Sequence, residues 1–300
     1  MNLRLDFLAS YVPPKRVAIN EIVDDARVAA SFVADGFANV AISDIDIVAM
    51  AEVAVERICG TPGFLNDVDG IIISTDSYDS HSFGNSKSEY SSVRSEFKRM
   101  FSRYFGEDTT LYSVGMNGCL NFAQSLSVAT GLVASGAHEK VLVVLCDRAT
   151  WHRSRILDNG AAVLGDAAGC FTVSGEGRWM VELIATQAIP STSLSHGFSV
   201  LKAAQKLRRV AECRLGRPLD TVMEFFGDNL HFSTYQIVAE GLGISLSKVS
   251  LPNKHVTGHA FACDCLLALQ QRSAETGKVG NSIGAINISG SRLGLLILRD

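Results

Sequence analysis

The sequence around one cysteine, Cys119, is typical of a catalytic nucleophile. The stretch Tyr112–Val133 reads YSVGMNGCLNFAQSLSVATGLV, in which a strand-like run is followed by Gly115, Gly118 and then Cys119. Apolar residues recur with helical spacing after the cysteine. This pattern predicts Cys119 on a strand-to-helix turn, where unpaired backbone N–H groups favour an exposed thiolate of low pKa. Such a thiol suits nucleophilic catalysis, although a cysteine is also a common small core residue.

Buried-type strands and a long helix must position this turn. Val68–Ser74 and Lys140–Cys146 are continuous apolar runs, which are typical of strands covered on both faces. Asp147 follows the second run at its carboxyl end, where open α/β sheets gather their functional groups. We therefore expect a strand at Thr110–Gly115, the cysteine turn, and a helix that continues to about Gly136.

The same order of elements starts again after Gly175–Gly177. A predicted strand leads into Gly227-Asp228-Asn229 and a helix over Leu230–Leu242, and a later strand leads into Val256-Thr257-Gly258-His259 and another helix. This weak internal repeat, without a linker, predicts two similar α/β halves packed together. The halves would span residues 1–174, which carry the cysteine, and 175–300, which carry its polar partners.

Composition and charge exclude several classes of function. Of 300 residues, 47% are hydrophobic and 19% charged, so the chain can bury a sizeable core. With a net charge of −4 and no basic block, we expect no nucleic-acid partner. No apolar run reaches the ~18 residues that span a bilayer, so no membrane partner is expected. The N-terminal MNLRLDFLASYVPP has Asp6 inside its apolar part, which argues against a signal peptide.

The cysteine pattern predicts free thiols rather than a disulfide framework or a metal site. The chain has seven cysteines, an odd number without framework spacing, which indicates a reducing, cytoplasmic location. Cys263 and Cys265 lack a second ligand pair at zinc-site spacing, so we expect no metal. Apart from Cys119, the cysteines are interpreted as core residues.

Several motifs, in order along the chain, carry a family resemblance. The stretch CLNFAQSLSVATGLVASGAHEKVLVV, from Cys119 to Val144, resembles the active-site helix and following strand of thiolase-fold condensing enzymes, closest to the β-ketoacyl-ACP synthase III-like proteins. Leu164–Gly169 (LGDAAG) resembles the F-G-D-G-A-G segment of that family. His196-Gly197 resembles its mid-chain glycine before a helix, and Ile288–Leu298 its glycine-rich strand pair. Val12-Pro13-Pro14 resembles its N-terminal turn.

The resemblance implies a layered αβαβα thiolase-like fold and, as is usual in the family, a homodimer. It also implies that Cys119 takes an acyl group from a coenzyme A or acyl-carrier-protein thioester, with no tightly bound cofactor. The backbone N–H groups of Cys119 and Gly290 would form the oxyanion hole. Donors of this kind are worth roughly 3–4 kcal/mol each in known enzymes.

Two positions depart from the family pattern. Asp228 aligns with the catalytic His of the family and His259 with its Asn. Two neutral donors would stabilise the enolate of malonyl decarboxylation, whereas a carboxylate at Asp228 repels that developing charge. An Asp beside a His instead resembles a pair in which the carboxylate fixes the tautomer of a general base. We therefore expect Asp228 to orient His259.

Other readings of these residues stay open. Asp228 is also a good N-cap for the helix over 230–242, and His259 could be a satisfied core histidine. His231 lies on the same helix face as Asp228 and could be the acting base if the loop is shifted. His196 is a candidate for substrate contact, whereas Asp166 is interpreted as structural.

The donor and the acceptor are left open by the sequence. Family members sandwich the coenzyme A adenine between a Trp and an Arg, but Ala26–Ile42 has only Arg27 and no Trp. A carrier protein is therefore as good a donor as coenzyme A. A basic cluster could meet an acidic carrier, or could simply be a solvated helix face. It comprises Lys87, Arg94, Lys98, Arg99 and Arg103. The tunnel walls are expected from the loops Asp76–Ser92 and Trp151–Asn159.

Three functions are compatible with these observations. The preferred one is an acyltransferase that passes its acyl group to a small-molecule or thioester acceptor in specialised-metabolite, polyketide or fatty-acyl biosynthesis. The second is a decarboxylative β-ketoacyl synthase that forms a C–C bond with a malonyl thioester. The third is a non-catalytic partner subunit of an active homologue, although retention of Cys119 counts against it.

Overall fold

The structure is a computed structural model that describes residues 2–64, 67–77, 90–149, 154–157, 160–190, 196–275 and 280–300. Lys87 and most of the two loops expected to wall a tunnel lie outside these ranges. In the described chain the strands are β1 Arg4–Tyr11, β2 Arg16–Ala18, β3 Asn39–Ala41, β4 Gly70–Ser74, β5 Thr110–Val114, β6 Lys140–Asp147, β7 Ala167–Ser174, β8 Trp179–Ala188, β9 Glu224–Gly227, β10 Val249–Ser250, β11 Ser282–Ile288 and β12 Arg292–Arg299. The α-helices are α1 Ile19–Ile22, α2 Ala26–Ala34, α3 Ile47–Cys59, α4 Tyr90–Phe105, α5 Asn121–Ala134, α6 His196–Leu215, α7 Phe232–Leu242, α8 Lys254–Thr257 and α9 Cys263–Ala274.

Two sets of five strands have the same order. The first is β5-β4-β6-β7-β1 and the second is β10-β9-β11-β12-β8. In both sets the first three strands run parallel, and the fourth strand pairs antiparallel with both the third and the fifth. Pairing of β1 with β8, at Arg4–Met180 and Leu5–Trp179, joins the sets edge to edge. The repeat that the sequence suggests is thus a repeat of strand topology.

Helices and sheets alternate in five layers. Helices α3 and α4 pack outside the first strand set and α6 and α7 outside the second, whereas α5 and α9 lie between the two sets. Apolar side chains fill both outer layers and the middle one. Phe122 of α5 stacks edge-on against Phe171 of β7, and Leu266 of α9 lies against Gly169. The expected αβαβα architecture is confirmed, and it brings the N-termini of α5 and α9 together at the ends of the central strands.

Helix boundaries in the second half differ from the sequence prediction. Helix α7 begins at Phe232, two residues later than expected, and α9 begins at Cys263 rather than Ala260. The residues before these helices therefore form tight turns, and their side chains are free to serve the site. In the part of the chain that the structure covers, no helix is both long and apolar enough to cross a membrane.

Candidate active site

Cys119 lies on a turn between strand β5 and helix α5, as expected. It occupies the middle of a short 3-10 helix, Gly118–Leu120, that runs directly into α5. Met116 and Gly118 both have positive φ values, 65° and 56°, so the backbone makes a tight left-handed approach to the cysteine. Cys119 is only 6% exposed, so the expected exposed thiol is a buried one.

Two aspartates, Asp76 and Asp147, hold this turn in place. The carboxylate of Asp76 accepts hydrogen bonds from the backbone N–H groups of Met116 and Gly118. Asp147 in turn accepts from the backbone N–H of Asp76 at 2.8 Å and from the hydroxyl of Thr75 at 3.2 Å. Burial raises the pKa of Asp147 to about 7. The end of the central sheet is thereby coupled to the cysteine turn.

His259 is positioned by close contact between two chain segments. The backbone N–H of His259 donates to the Val163 carbonyl at 2.8 Å, and the backbone carbonyl of His259 accepts from the Gly165 N–H at 2.9 Å. A Cβ atom at Gly165 would lie 1.9 Å from the Thr257 carbonyl oxygen, and one at Gly258 would lie 2.8 Å from that of Val163. Only glycine at both positions permits this approach, which gives the LGDAAG segment its structural role.

Cys119, His259 and Asp264 form a hydrogen-bonded row. The Cys119 Sγ lies 3.1 Å from His259 Nε2, and His259 Nδ1 lies 2.5 Å from Asp264 Oδ2. An ionised carboxylate only accepts hydrogen bonds, so Nδ1 carries the proton and Nε2 is free to accept the thiol proton. The geometry is that of a nucleophile, a general base and an orienting carboxylate.

The Asp264 carboxylate is buried and fully hydrogen-bonded. Besides His259, it accepts from the Ala260 N–H at 2.9 Å, from the Asn229 N–H at 2.7 Å and from the Asn229 side-chain amide at 2.9 Å. The Asn229 amide also donates to the Gly258 carbonyl at 2.8 Å. Asn229 therefore fixes both the carboxylate and the turn that carries the imidazole.

The expectation that Asp228 orients His259 is wrong. The oxygens of Asp228 accept instead from the Asn287 side-chain amide at 2.8 Å and from the Ile288 N–H at 2.6 Å. Nor is Asp228 the N-cap of α7. The turn into α9 brings Asp264 back beneath the imidazole, whereas Asp228 at the end of β9 faces β11.

His231 is not brought to the cysteine. It is the N-cap of α7, where its Nδ1 accepts from the Ser233 N–H and lies 3.4 Å from a carboxylate oxygen of Asp35. Asp35 also accepts from the Phe232 N–H and pairs with the buried Lys254. The polar partners of His231 thus lie in a cap at the helix start, and the alternative of a shifted loop is not supported.

The electrostatics of the row are set by burial. Burial raises the pKa of the Cys119 thiol well above its ordinary value, and the charges of Asp228 and Asp264 raise it further, against a smaller lowering by its own backbone N–H. This corrects the expected low-pKa thiol. Burial lowers the pKa of His259, but the charge and hydrogen bond of Asp264 and the charge of Asp228 outweigh it, so the pKa ends above 6.5. The arrangement therefore favours a neutral thiol beside an imidazole that is more basic than usual.

A narrow cavity of about 190 Å³ lies between α6, α7 and the turn after β11. Most of its wall is apolar, with polar atoms from His196, Ser233 and Thr234. Gly290 lines it as well, and a Cβ at Gly118 would lie 3.9 Å from Cβ of Ser289, so the wall adjoins the cysteine turn. His196, the candidate for substrate contact, is thus one of the residues that line this cavity.

Other sequence candidates have structural surroundings. Asp166 is buried and accepts from the backbone N–H groups of Ser43 and Ala149 and from Arg155. All seven cysteines are free, and Cys213 is exposed on α6 rather than in the core. Within the described ranges, no cluster of three His, Cys, Asp or Glu residues is arranged to hold a metal ion. Helix α4 exposes Arg94, Lys98 and Arg99 to solvent.

One family model matches part of the chain. The family model of 3-oxoacyl-(acyl-carrier-protein) synthase III matches residues 116–189, which include the cysteine turn. The comparison with curated protein sequences returned no match.

Solved structures match over the whole chain. ChlB3, described as an acyltransferase, is 17% identical with a TM-score of 0.80, and 100% of this chain aligns with 98% of that one. FabH, the 3-oxoacyl-(acyl carrier protein) synthase III of Pseudomonas aeruginosa PAO1, is 16% identical with a TM-score of 0.75 over 100% and 98% of the chains. Cerulenin-bound OleA of Xanthomonas campestris is 16% identical with a TM-score of 0.80 over 100% and 99%.

At these identities the structures establish the fold, and the family model matches the segment that carries the cysteine. Together with the topology, the structures show a thiolase-like αβαβα fold. The chain is thus similar to 3-oxoacyl-(acyl-carrier-protein) synthase III over residues 116–189 and shares the fold of these solved structures over its whole length.

Proposed function

We propose that this protein is an acyltransferase that loads an acyl group from a thioester onto Cys119 and passes it to an acceptor. The single observation that carries this proposal is the hydrogen-bonded row of Cys119, His259 and Asp264, with contacts of 3.1 Å and 2.5 Å. An orienting carboxylate, a general base and a thiol suffice for two successive acyl transfers. The acyl thioester is a substrate, and the chemistry requires no resident cofactor.

In the first half-reaction, His259 Nε2 takes the thiol proton as Cys119 Sγ attacks the thioester carbonyl. The imidazolium is stabilised by Asp264 and returns its proton to the departing thiol, which leaves a thioester on Cys119. In the second half-reaction, His259 takes a proton from an acceptor hydroxyl, amine or thiol as this acceptor attacks the acyl-enzyme, and the imidazolium then returns this proton to the departing Cys119 sulfur. The N–H groups of Cys119 and Gly290 are proposed to hold the carbonyl oxygen in both steps.

Transfer is favoured over decarboxylative condensation by the charges around the row. Asp228 and Asp264 are both at most 2% exposed, and both act electrostatically on Cys119. A malonyl carboxylate and its enolate would develop negative charge beside these two carboxyl groups, at a position where condensing relatives offer neutral donors. A neutral hydroxyl or amine acceptor meets no such repulsion.

The donor is proposed to be the phosphopantetheine thioester of an acidic carrier protein. The cavity of about 190 Å³ is smaller than the ~300 Å³ of typical ligand pockets, which suits a slender arm. Helix α6 begins at this cavity and has five Lys or Arg residues against one Glu, in a chain of net charge −4. Lys202, Lys206 and Arg209 are exposed along one face of it. They form no ion pair within the described ranges.

This surface replaces the α4 cluster as our proposed carrier site. Helix α4 packs outside the first strand set, whereas the cavity opens beside α6 and α7 outside the second. Arg103 of α4 is already paired with Glu52. A carrier protein bound at α4 would therefore lie outside the first strand set, away from the cavity.

We also propose a homodimer through strand β5. This strand ends the ten-stranded sheet, and one of its sides is unpaired in the described structure. Its Leu111, Tyr112 and Val114 are half-buried. Edges of this kind pair readily with a second copy. A cytoplasmic location stays a prediction from the cysteine pattern.

The experiment that tests acyl transfer against condensation starts from the acyl-enzyme. Acylated protein is mixed either with a labelled malonyl thioester or with a panel of alcohols, amines and thiols, and both label released as carbon dioxide and acyl product are measured. We expect acyl products without carbon dioxide release. Carbon dioxide formed at the rate of acyl-enzyme loss would establish the ketosynthase alternative instead.

A further inference from the structure

The side chain of Asp228 extends a parallel strand ladder beyond its last residue. Strands β9 and β11 pair up to Gly227 and Ile286, and the Asp228 N–H meets the Ile286 carbonyl at 3.4 Å. In a continuing ladder, the Ile288 N–H would bond the Asp228 carbonyl. That carbonyl instead accepts from the Leu230 N–H and the Tyr235 hydroxyl, each at 2.6 Å. The Asp228 carboxylate takes its place, at 2.6 Å from the Ile288 nitrogen.

The segment that this bond holds leads directly to the cysteine turn. Ile288 is the last residue of β11, and Ser289 and Gly290 follow it. A Cβ atom added at Gly118 would lie 3.9 Å from the Cβ atom of Ser289, so Ser289 lies next to the cysteine turn. Ile288, Ser289 and Gly290 all line the narrow cavity. The position at which β11 ends therefore fixes the Gly290 backbone relative to Cys119.

A carboxylate is a costly choice for this structural task. Asp228 is wholly buried, which raises its pKa to about 7, and its ionised form acts on Cys119 in the direction that disfavours a thiolate. Asn287 donates to its other oxygen at 2.8 Å and thereby fixes the orientation of the carboxylate. Its acceptor function and its charge thus have opposite effects on the cysteine, and substitutions can separate them.

We propose that Asp228 is a positioning residue that holds Ile288, and through it the Gly290 N–H, where the carbonyl oxygen of the Cys119 thioester develops its charge. This role rests on the proposed acyl transfer. It assigns to the acceptor oxygen of Asp228, rather than to its charge, the contribution of this residue to catalysis. An asparagine can keep that acceptor, whereas a leucine of similar volume cannot.

The test compares Asp228→Asn with Asp228→Leu in two reactions of Cys119. Alkylation by iodoacetamide reports thiolate formation and needs no oxyanion hole, whereas loading from an acyl-N-acetylcysteamine thioester needs both. We expect both variants to alkylate faster than wild type at pH 8, where the carboxyl group of wild-type Asp228 is ionised, because the repelling charge is gone. We expect Asp228→Asn to load within about threefold of wild type and Asp228→Leu to load at least tenfold more slowly, mainly through the maximal rate.

Equal loading by the two variants would overturn the positioning role, as would loss of alkylation and loading together in Asp228→Leu. If Asp228→Leu does not fold, Asp228→Ala provides the same contrast with Asp228→Asn. Absence of an acyl adduct on the wild-type protein would instead overturn acyl transfer itself, and with it this role. The two failures are therefore distinguishable.

Discussion

The Nδ1 atom of His259 lies 2.5 Å from a carboxylate oxygen of Asp264, five residues further along the chain. This contact fixes the imidazole tautomer and turns Nε2 toward Cys119 Sγ at 3.1 Å. The base and its orienting carboxylate thus come from one turn at the start of α9. Only the nucleophile comes from the first half of the chain.

Substitution of Asp264 tests whether it is the orienting carboxylate. We expect Asp264→Asn to slow loading of Cys119 by about a hundredfold or more, because the amide no longer stabilises the imidazolium or enforces the tautomer. Single-turnover kinetics with an acyl thioester measure the effect. Asp220→Asn, at a surface aspartate paired with Lys248, is the matched control and should load normally. Normal loading by Asp264→Asn would show that the contact is structural only.

The pH dependence of loading follows from the raised pKa of His259. The imidazole must be neutral to accept the thiol proton, so loading should increase with pH and reach half its maximum above pH 6.5. Since Asp264 is a main cause of the increase, the midpoint should fall in Asp264→Asn. Rates of loading measured from pH 5 to pH 9 provide the test. A midpoint that stays in place would assign the titration to another group.

Stability should depend on pH through Asp147. Burial raises the pKa of this carboxyl from 3.8 to about 7 in the folded state. Between these values the folded protein binds more protons than the unfolded one. The contribution of Asp147 to stability is therefore fully present below pH 3.8 and is lost as the pH rises through 7. Relative to wild type, the free energy of unfolding of Asp147→Asn should therefore increase by on the order of 2–3 kcal/mol between pH 5 and pH 8.

Urea unfolding of both proteins at the two pH values measures this difference. A constant gap between wild type and variant would mean that Asp147 is ionised throughout the range. The ordinary ion pairs of the surface are the same in both proteins and cancel in the comparison.

Charge reversal on α6 tests the carrier surface. We expect Lys202→Glu with Lys206→Glu to raise KM for an acyl carrier protein at least tenfold, while KM for the small acyl-N-acetylcysteamine donor changes less than twofold. The matched control is Lys98→Glu with Arg99→Glu on α4, which should leave both KM values unchanged. If the α4 variant is the impaired one, the carrier docks on the first half.

Much of this fold could be predicted because its signals are local. The apolar runs of β4 and β6 and the small-residue turn before Cys119 each occupy one short stretch of sequence. The repeated order of strand, turn and helix predicted two similar α/β halves. Helix starts were less predictable, because a turn held by long-range contacts, such as Gly165 against Thr257, leaves no local pattern.

The partners of the cysteine were only partly predictable. His259 was found because a family motif marks its position, whereas Asp264 was missed because an acid in the first turn of a helix ordinarily complements the helix dipole. A signal existed, since Asp264 is the one charged residue in the apolar, buried run Cys263–Leu269 at the start of α9. The prediction for Asp228 failed because the alignment of its position with a family residue does not reveal which way the carboxylate points.

The most direct test of the account is the mass of the intact protein after incubation with a panel of acyl thioesters. We predict one acyl adduct per chain, absent in Cys119→Ala, formed at least a hundredfold more slowly in His259→Gln, and formed normally in His231→Gln. His231→Gln controls for loss of a histidine, because His231 lies at the α7 cap. An adduct that survives Cys119→Ala, or one that forms at full rate in His259→Gln, would contradict the proposed row of Cys119, His259 and Asp264.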